Sequence, residues 1–206
     1  AIGVGAGVGG LGWDTMVDSM GTGEALSRVV DGSVVTPGLL RDAVARGLTI
    51  GRHAIPGRFG AMAGIGSGLI LNQVKARIEA LRPGLGDEGL QDLLETEAAG
   101  AIVRPEFVPV LSGTEVSLPA FAPEHIGAVW RAAVRCVSQR AAVGTRTLSE
   151  ILGPQTSIVA CGGWLRSRLI QREKSRALGA FSWSEIGEPG AYGAARLAAL
   201  SLGVKL

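Results

Sequence analysis

The longest regular spacing of hydrophobic residues runs from Pro123 to about Leu152. Ile126, Val129, Trp130, Ala133, Val134, Val137 and Ala141 recur at intervals of three and four. That is the period of one helix face, and it places Arg131, Arg135 and Arg140 largely on the solvated side. A second helix is predicted after Gly64-Ile-Gly-Ser-Gly68, with Leu69, Ile70, Val74, Ile78 and Leu81 on one face and Pro83-Gly84 as its stop. Residues 87–99 form a third, with Leu90, Leu93 and Leu94 inward. Thr36-Pro37 reads as N-cap and first residue of a short helix through Arg46, closed by Gly47. Residues 191–202 read as a smooth helix of Ala and Gly, suited to close packing against another helix or domain.

The remaining apolar runs are short and strand-like. Residues 14–20 and 24–30 are two strands joined by Gly21-Thr22-Gly23, which makes a hairpin. Residues 48–55 are strand-like and turn at Pro56-Gly57, residues 107–111 suggest a strand interrupted by Pro109, and residues 112–122 read as a loop. Ser157-Ile-Val-Ala-Cys161 is a short buried strand, followed by a Gly162-Gly163 turn and a helix from Ser167, which Gly179 closes. Residues 180–183 are a further strand. These elements predict an α/β domain: a mixed central sheet from the strands near 14–20, 24–30, 48–55 and 157–161, flanked by helices. The hairpin makes it partly antiparallel, and the later strand–helix units add parallel strands.

Composition narrows the partners. The 206 residues carry 20 basic and 18 acidic side chains, a net charge of +2, too small to argue for nucleic acid or an anionic membrane surface. Hydrophobic residues make up 47% but aromatic residues only 4%, so Leu, Val, Ile and Ala must fill the core. No long apolar run or basic leader pattern indicates a membrane span or signal peptide. Cys136 and Cys161 read as small buried hydrophobes of a reducing compartment, which implies a cytoplasmic protein. His53 and His125 stand alone, without a ligand at metal-binding spacing.

Two glycine clusters carry candidate chemistry. Gly5-x-Gly7-x-x-Gly10 matches the dinucleotide fingerprint, which needs a strand before it and a helix after it; here only four residues precede it and a β-like segment follows. An NAD-binding module of the Rossmann type is therefore one alternative. Gly162-Gly163, at a strand–helix junction, exposes bare backbone to which a flat or charged ligand can come close.

Three pieces, in order, carry a resemblance: Asp18-Ser-Met-Gly-Thr-Gly-Glu-Ala-Leu26, Ile158-Val-Ala-Cys-Gly-Gly-Trp-Leu-Arg-Ser167 and Glu188-Pro-Gly-Ala-Tyr-Gly-Ala-Ala-Arg-Leu-Ala198. Together they resemble the second phosphate motif, the adenosine motif and the second connecting motif of the C-terminal domain of FGGY-family carbohydrate kinases. Residues 107–113 are similar to the family's proline–glycine loop, and Arg131-Ala132 falls where its long helix usually carries Arg-Ala. Trp164 stands where the family often has a small residue, and Arg135 where many members carry Glu.

The resemblance implies an actin-like ATPase domain with a ribonuclease H-like fold across residues 1–206, residues 1–13 being the remnant of the segment between two domains. It implies ATP or ADP as ligand, Mg2+ as cofactor and a sugar or polyol held through an N-terminal domain absent from this chain, and it leaves a homodimer open. By the resemblance Gly21, Thr22 and Gly23 contact phosphate, with backbone N–H groups and a hydroxyl suited to it. Gly162 and Gly163 lie against the nucleoside, Trp164 stacks on the base or plugs the domain, and Ser167 reaches toward adenine or ribose. Gly66 and Ser67 face the same cleft from a helix N-terminus, weighed against a helix cap only. Asp18 is a candidate to organise magnesium through water, weighed against a plain exposed strand carboxylate. The general-base aspartate is expected before Ala1, since none of Asp14, Asp18 and Asp31 fits that position, so the isolated chain is expected to be inactive. A non-catalytic interaction domain on the same fold is the other alternative.

Overall fold

The computed structural model describes residues 2–9 and 12–204. A six-stranded sheet runs through the molecule in the order β3-β4-β2-β1-β7-β8. Its strands are β1 (Thr15–Met20), β2 (Glu24–Asp31), β3 (Leu48–Arg52), β4 (Arg58–Gly64), β7 (Ser157–Cys161) and β8 (Ser182–Trp183). A separate hairpin pairs β5 (Val110–Ser112) with β6 (Glu115–Ser117). The helices are α1 (Ile2–Gly7), α2 (Pro37–Ala45), α3 (Ser67–Leu81), α4 (Asp87–Ala99), α5 (Ile126–Leu152), α6 (Arg168–Leu178) and α7 (Pro189–Ser201).

The sheet is mixed, as the sequence predicts. β1 and β2 form the antiparallel hairpin, with Met20 opposite Glu24, while β7 lies parallel to β1, with Ser19 opposite Cys161. β8 then extends the parallel side and β4 and β3 the antiparallel side. β4 is a strand that the hydrophobic pattern does not announce. Its sequence, Arg-Phe-Gly-Ala-Met-Ala-Gly, has few β-branched residues, and pairing with strands on both sides holds it extended. Similarly, Glu115–Ser117 pairs with Val110–Ser112 inside what reads as a strand followed by a loop.

Alternation along β1 decides what meets what. Met16, Asp18 and Met20 are fully buried, and Asp18 is directed at α6, where Lys174 receives it. α5 joins two core clusters. Val129, Trp130, Ala133 and Val137 pack with α3, α4 and α6, whereas Ala141 and Leu148 pack with Met16, Leu26 and Ala63. On the other side of the sheet, Gly3 and Gly5 of α1 share a cavity of about 490 Å³ with Ser27, Val29 and Met62. α1 packs against α7, where Arg196 donates to the Ala6 carbonyl at 2.9 Å.

The dinucleotide alternative meets this geometry badly. Gly5 and Gly7 lie inside α1 itself, and the element that follows them is the strand β1, not a helix. Gly10 lies outside the described residues. The arginines of α5 are also less solvated than the periodicity predicts. Arg131 Nη1 donates to the Ala101 carbonyl at 2.8 Å, and Arg140 Nε donates to the Ile65 carbonyl at 3.1 Å; of the three, Arg135 is the exposed one. A guanidinium finds loop carbonyls that end between helices, and such pairings are set by tertiary packing, which a period does not encode.

Candidate functional site

Three glycine-rich corners meet at the carboxyl ends of β1 and β7. That is the edge at which open α/β sheets place their ligands. The first corner is the turn Gly21-Thr22-Gly23, where Gly21 N–H donates to the Gly23 carbonyl at 2.9 Å and all three residues are exposed. The second is Gly162 with the short 3-10 turn Gly163–Arg166 at the end of β7. β1 and β7 are hydrogen-bonded neighbours, so these two corners lie side by side. Their contact is direct: a Cβ on Gly162 would stand 2.1 Å from the Met20 carbonyl oxygen, and Gly162 has φ +117°. The third corner is the N-terminus of α3. Gly66, at φ +73°, turns the chain into the helix, and a Cβ on Gly68 would stand 2.0 Å from the Thr22 carbonyl oxygen. Glycine is what allows three backbone segments to touch here.

Beside the second corner lies a cavity of about 220 Å³ lined by Gly162, Gly163, Arg166, Trp183, Glu185 and Gly187 among others. Its wall is largely backbone and polar side chains. It can accept a flat polar group or an anion, with Arg166 as its lining cation and Glu185 as its lining carboxylate.

The structure changes the roles assigned to four side chains. Asp18 is neither exposed nor available to water-borne magnesium: it is fully buried, and its Oδ2 accepts a hydrogen bond from Lys174 Nζ. Ser67 is fully buried too. Its Oγ lies beside Glu24, buried and without a hydrogen-bond partner, so the hydroxyl is not offered to a ligand in solvent. Ser167 is 2% exposed and caps α6: its Oγ accepts from Ile170 N–H at 3.2 Å and donates to Glu95. A hydroxyl so occupied does not reach for a nucleoside. Trp164 turns inward, its ring 6.1 Å from that of Trp130, and packs on the core as a plug instead of stacking on a base. What the corners offer a ligand is therefore backbone, the Thr22 hydroxyl and the Arg166 guanidinium.

Beneath the first corner sits a buried ionic group whose lysine stands 156 and 150 residues along the chain from its two carboxylates. Lys174 Nζ, fully buried on α6, donates to Asp18 of β1 and to Glu24 of β2. Asp18 Oδ1 and Glu24 Oε2 keep no hydrogen-bond partner. Burial, and then the Asp18 charge, push the Glu24 carboxyl up to about 7, against the pull of Lys174. Among the described residues no group of three His, Cys, Asp or Glu side chains is arranged to hold a metal ion.

No protein-family model matches the chain, and no curated protein matches it in sequence. Solved structures do match. Xylulose kinase from Rhodospirillum rubrum superposes with a TM-score of 0.71 at 21% identity, over 100% of this chain and 42% of that one. Gluconate kinase from Lactobacillus acidophilus gives 0.71 at 17%, over 96% and 40%. Plasmodium falciparum glycerol kinase with ADP gives 0.65 at 17%, over 98% and 41%. The chain spans about two fifths of the length of each structure it matches. It has the fold of the C-terminal half of these sugar kinases, an actin-like ATPase fold built on a six-stranded mixed sheet.

Proposed function

We propose, from a chain folded as the C-terminal half of sugar kinases, that it is the nucleotide-holding half of an enzyme transferring the γ-phosphoryl group of ATP to a carbohydrate or polyol hydroxyl. The observation that carries this is the convergence of the Gly21–Gly23 turn, the α3 N-terminus and the Gly162–Arg166 turn at one edge of the sheet. Gly21, Thr22 and Gly23 offer backbone N–H groups and one hydroxyl to phosphate oxygens, and Gly66 and the first α3 amides add a helix N-terminus. Gly162 and Gly163 present bare backbone to the nucleoside. Such transfer depends on positioning and charge stabilisation more than on covalent chemistry, so backbone corners suffice for this half of the site.

Magnesium enters this reading as part of the Mg–ATP substrate. The buried carboxylates of Asp18 and Glu24 are committed to Lys174 and do not fit a hydrated cation. The general base comes from outside the 206 residues. Asp14 is bound to the Thr156 hydroxyl, Asp31 caps Ser33 and Asp18 is buried.

The test is an amide chemical-shift titration with Mg–ADP on the labelled chain. Shifts confined to 21–23, 66–68 and 162–166 support the reading. Shifts at none of the three corners refute it, and a response to NAD at Gly5 and Gly7 favours the dinucleotide alternative. Robust sugar-dependent ATP turnover by the chain alone, with phosphorylated sugar as product, would overturn the placement of the general base.

A further inference from the structure

The Lys174 group has a place in the fold that a core ion pair does not need. Its two acceptors flank the Gly21–Gly23 turn: Asp18 lies three residues before it and Glu24 directly after it. The lysine belongs to α6, whose N-cap Ser167 directly follows the Gly163–Arg166 turn. Seven residues separate Ser167 from Lys174, about two helical turns or roughly 10 Å along the axis. One rigid helix thus begins at the second corner and grips both strands of the first. Glu95 fixes that starting end of α6 by accepting from Ser167 Oγ and from Leu169 N–H at 3.1 Å.

We propose that Lys174 is a positioning residue that locks the Gly21–Gly23 turn to the Gly162–Arg166 turn, so that the two corners keep one spacing and move as one body. The inference rests on the nucleotide reading for its purpose, but its mechanical part stands without it. Two oxygens of the clamp, Asp18 Oδ1 and Glu24 Oε2, and the buried Ser67 Oγ have no hydrogen-bond partner. A group tuned only for stability would be better served by apolar side chains of the same size, since buried ion pairs are often replaceable without loss. Direct links across three elements, β1, β2 and α6, are what an apolar replacement would not supply.

Two readouts test it on the 206-residue chain. The variants are Glu24→Gln, which weakens one arm of the clamp, and the triple Lys174→Met, Asp18→Asn, Glu24→Gln, which removes every charge and keeps the side-chain sizes. The first readout is amide hydrogen exchange. The proposal expects amides at 21–24 and at 163–167 to exchange faster together, by tenfold or more in the triple variant and less in Glu24→Gln, while α4 and the centre of α5 keep their protection. Faster exchange at the hairpin alone, with 163–167 unchanged, overturns it; so does a uniform rise across the chain. If the triple variant does not fold, Glu24→Gln carries the same comparison. The second readout is binding of Mg–ADP against adenosine. The clamp predicts that the triple variant loses tenfold or more in the ratio of the two affinities while adenosine binding holds, because only ADP spans both corners. An unchanged ratio overturns the role in binding. If the unsubstituted chain binds neither ligand, the nucleotide reading fails, and the exchange data alone then decide whether the clamp exists.

Discussion

An exposed glycine that cannot accept a methyl group offers the sharpest check of the site geometry. Gly162 and Gly163 are adjacent, both solvent-exposed and chemically identical. At Gly162 an alanine Cβ would sit 2.1 Å from the Met20 carbonyl oxygen and 2.5 Å from its carbon, on a backbone at φ +117°. That φ/ψ region costs a non-glycine residue about 1–3 kcal/mol. Pushing β1 and the 3-10 turn apart to relieve the overlap costs about another 1–3 kcal/mol by analogy with overpacked cores. Gly162→Ala is therefore expected to lose about 2–6 kcal/mol, a large share of the roughly 5–15 kcal/mol that holds a domain of this kind together. At Gly163 the same methyl meets nothing within 4 Å. Gly163→Ala should stay within about 1 kcal/mol of the parent and can gain slightly by restricting the unfolded chain. The assay is urea unfolding of both variants, read as midpoints at constant slope. A Gly162→Ala midpoint equal to the parent's, or equal losses for the two variants, would refute the contact between the end of β1 and the end of β7, and with it the shared edge. If Gly163→Ala also weakens Mg–ADP binding while remaining folded, the bare backbone there serves a ligand and not the fold.

Gly68→Ala should act on the first corner from the other side: its Cβ would meet the Thr22 and Gly21 carbonyl oxygens at 2.0 and 2.5 Å, costing about 1–3 kcal/mol and shifting the 21–23 amide resonances even without ligand. Ser167→Ala removes the α6 cap and leaves Glu95 short of a donor; about 1–2 kcal/mol should be lost, with faster amide exchange at 163–169, and unchanged exchange there would show that the Ser167–Glu95 bond does not hold the start of α6. Glu24 gives the pH dependence. Its carboxyl is pushed from 4.5 up to about 7 by folding, so the folded chain holds this proton more tightly than the unfolded chain does. Stability must then fall as pH rises from about 4.5 through about 7 and level off above. The loss is on the order of 3–4 kcal/mol, at about 1.4 kcal/mol for each pH unit between those two values. Urea midpoints across that range should fall for the parent and fall less for Glu24→Gln; parallel curves for the two would show that Glu24 does not carry the effect.

How far the chain announces its structure depends on the distance over which each feature is decided. α5 is legible because its face repeats every three to four residues across 27 positions, and the β1–β2 hairpin because two apolar runs flank Gly-Thr-Gly. The three corners are legible for the same local reason, since glycine is placed where backbone must come close. β4 is not legible, because its small residues gain their extended form only from β2 and β3 on either side. The side chains of the site fail differently. Asp18 and Lys174 are 156 residues apart, and nothing near Asp18 says that a cation will cover it. Yet the other partner carried a signal. On α6 the buried face passes through Ile170 and the half-buried Leu178, and Lys174 stands four residues from each, on the apolar stripe. A lysine at the centre of such a stripe must either reach the surface or find buried carboxylates. The only acidic residues on the strands of the hairpin are Asp18 and Glu24, with Asp31 at its far end. The periodicity that assigns α6 as a helix therefore also marks Lys174 as misplaced, and following that misfit leads to the clamp beneath the phosphate turn.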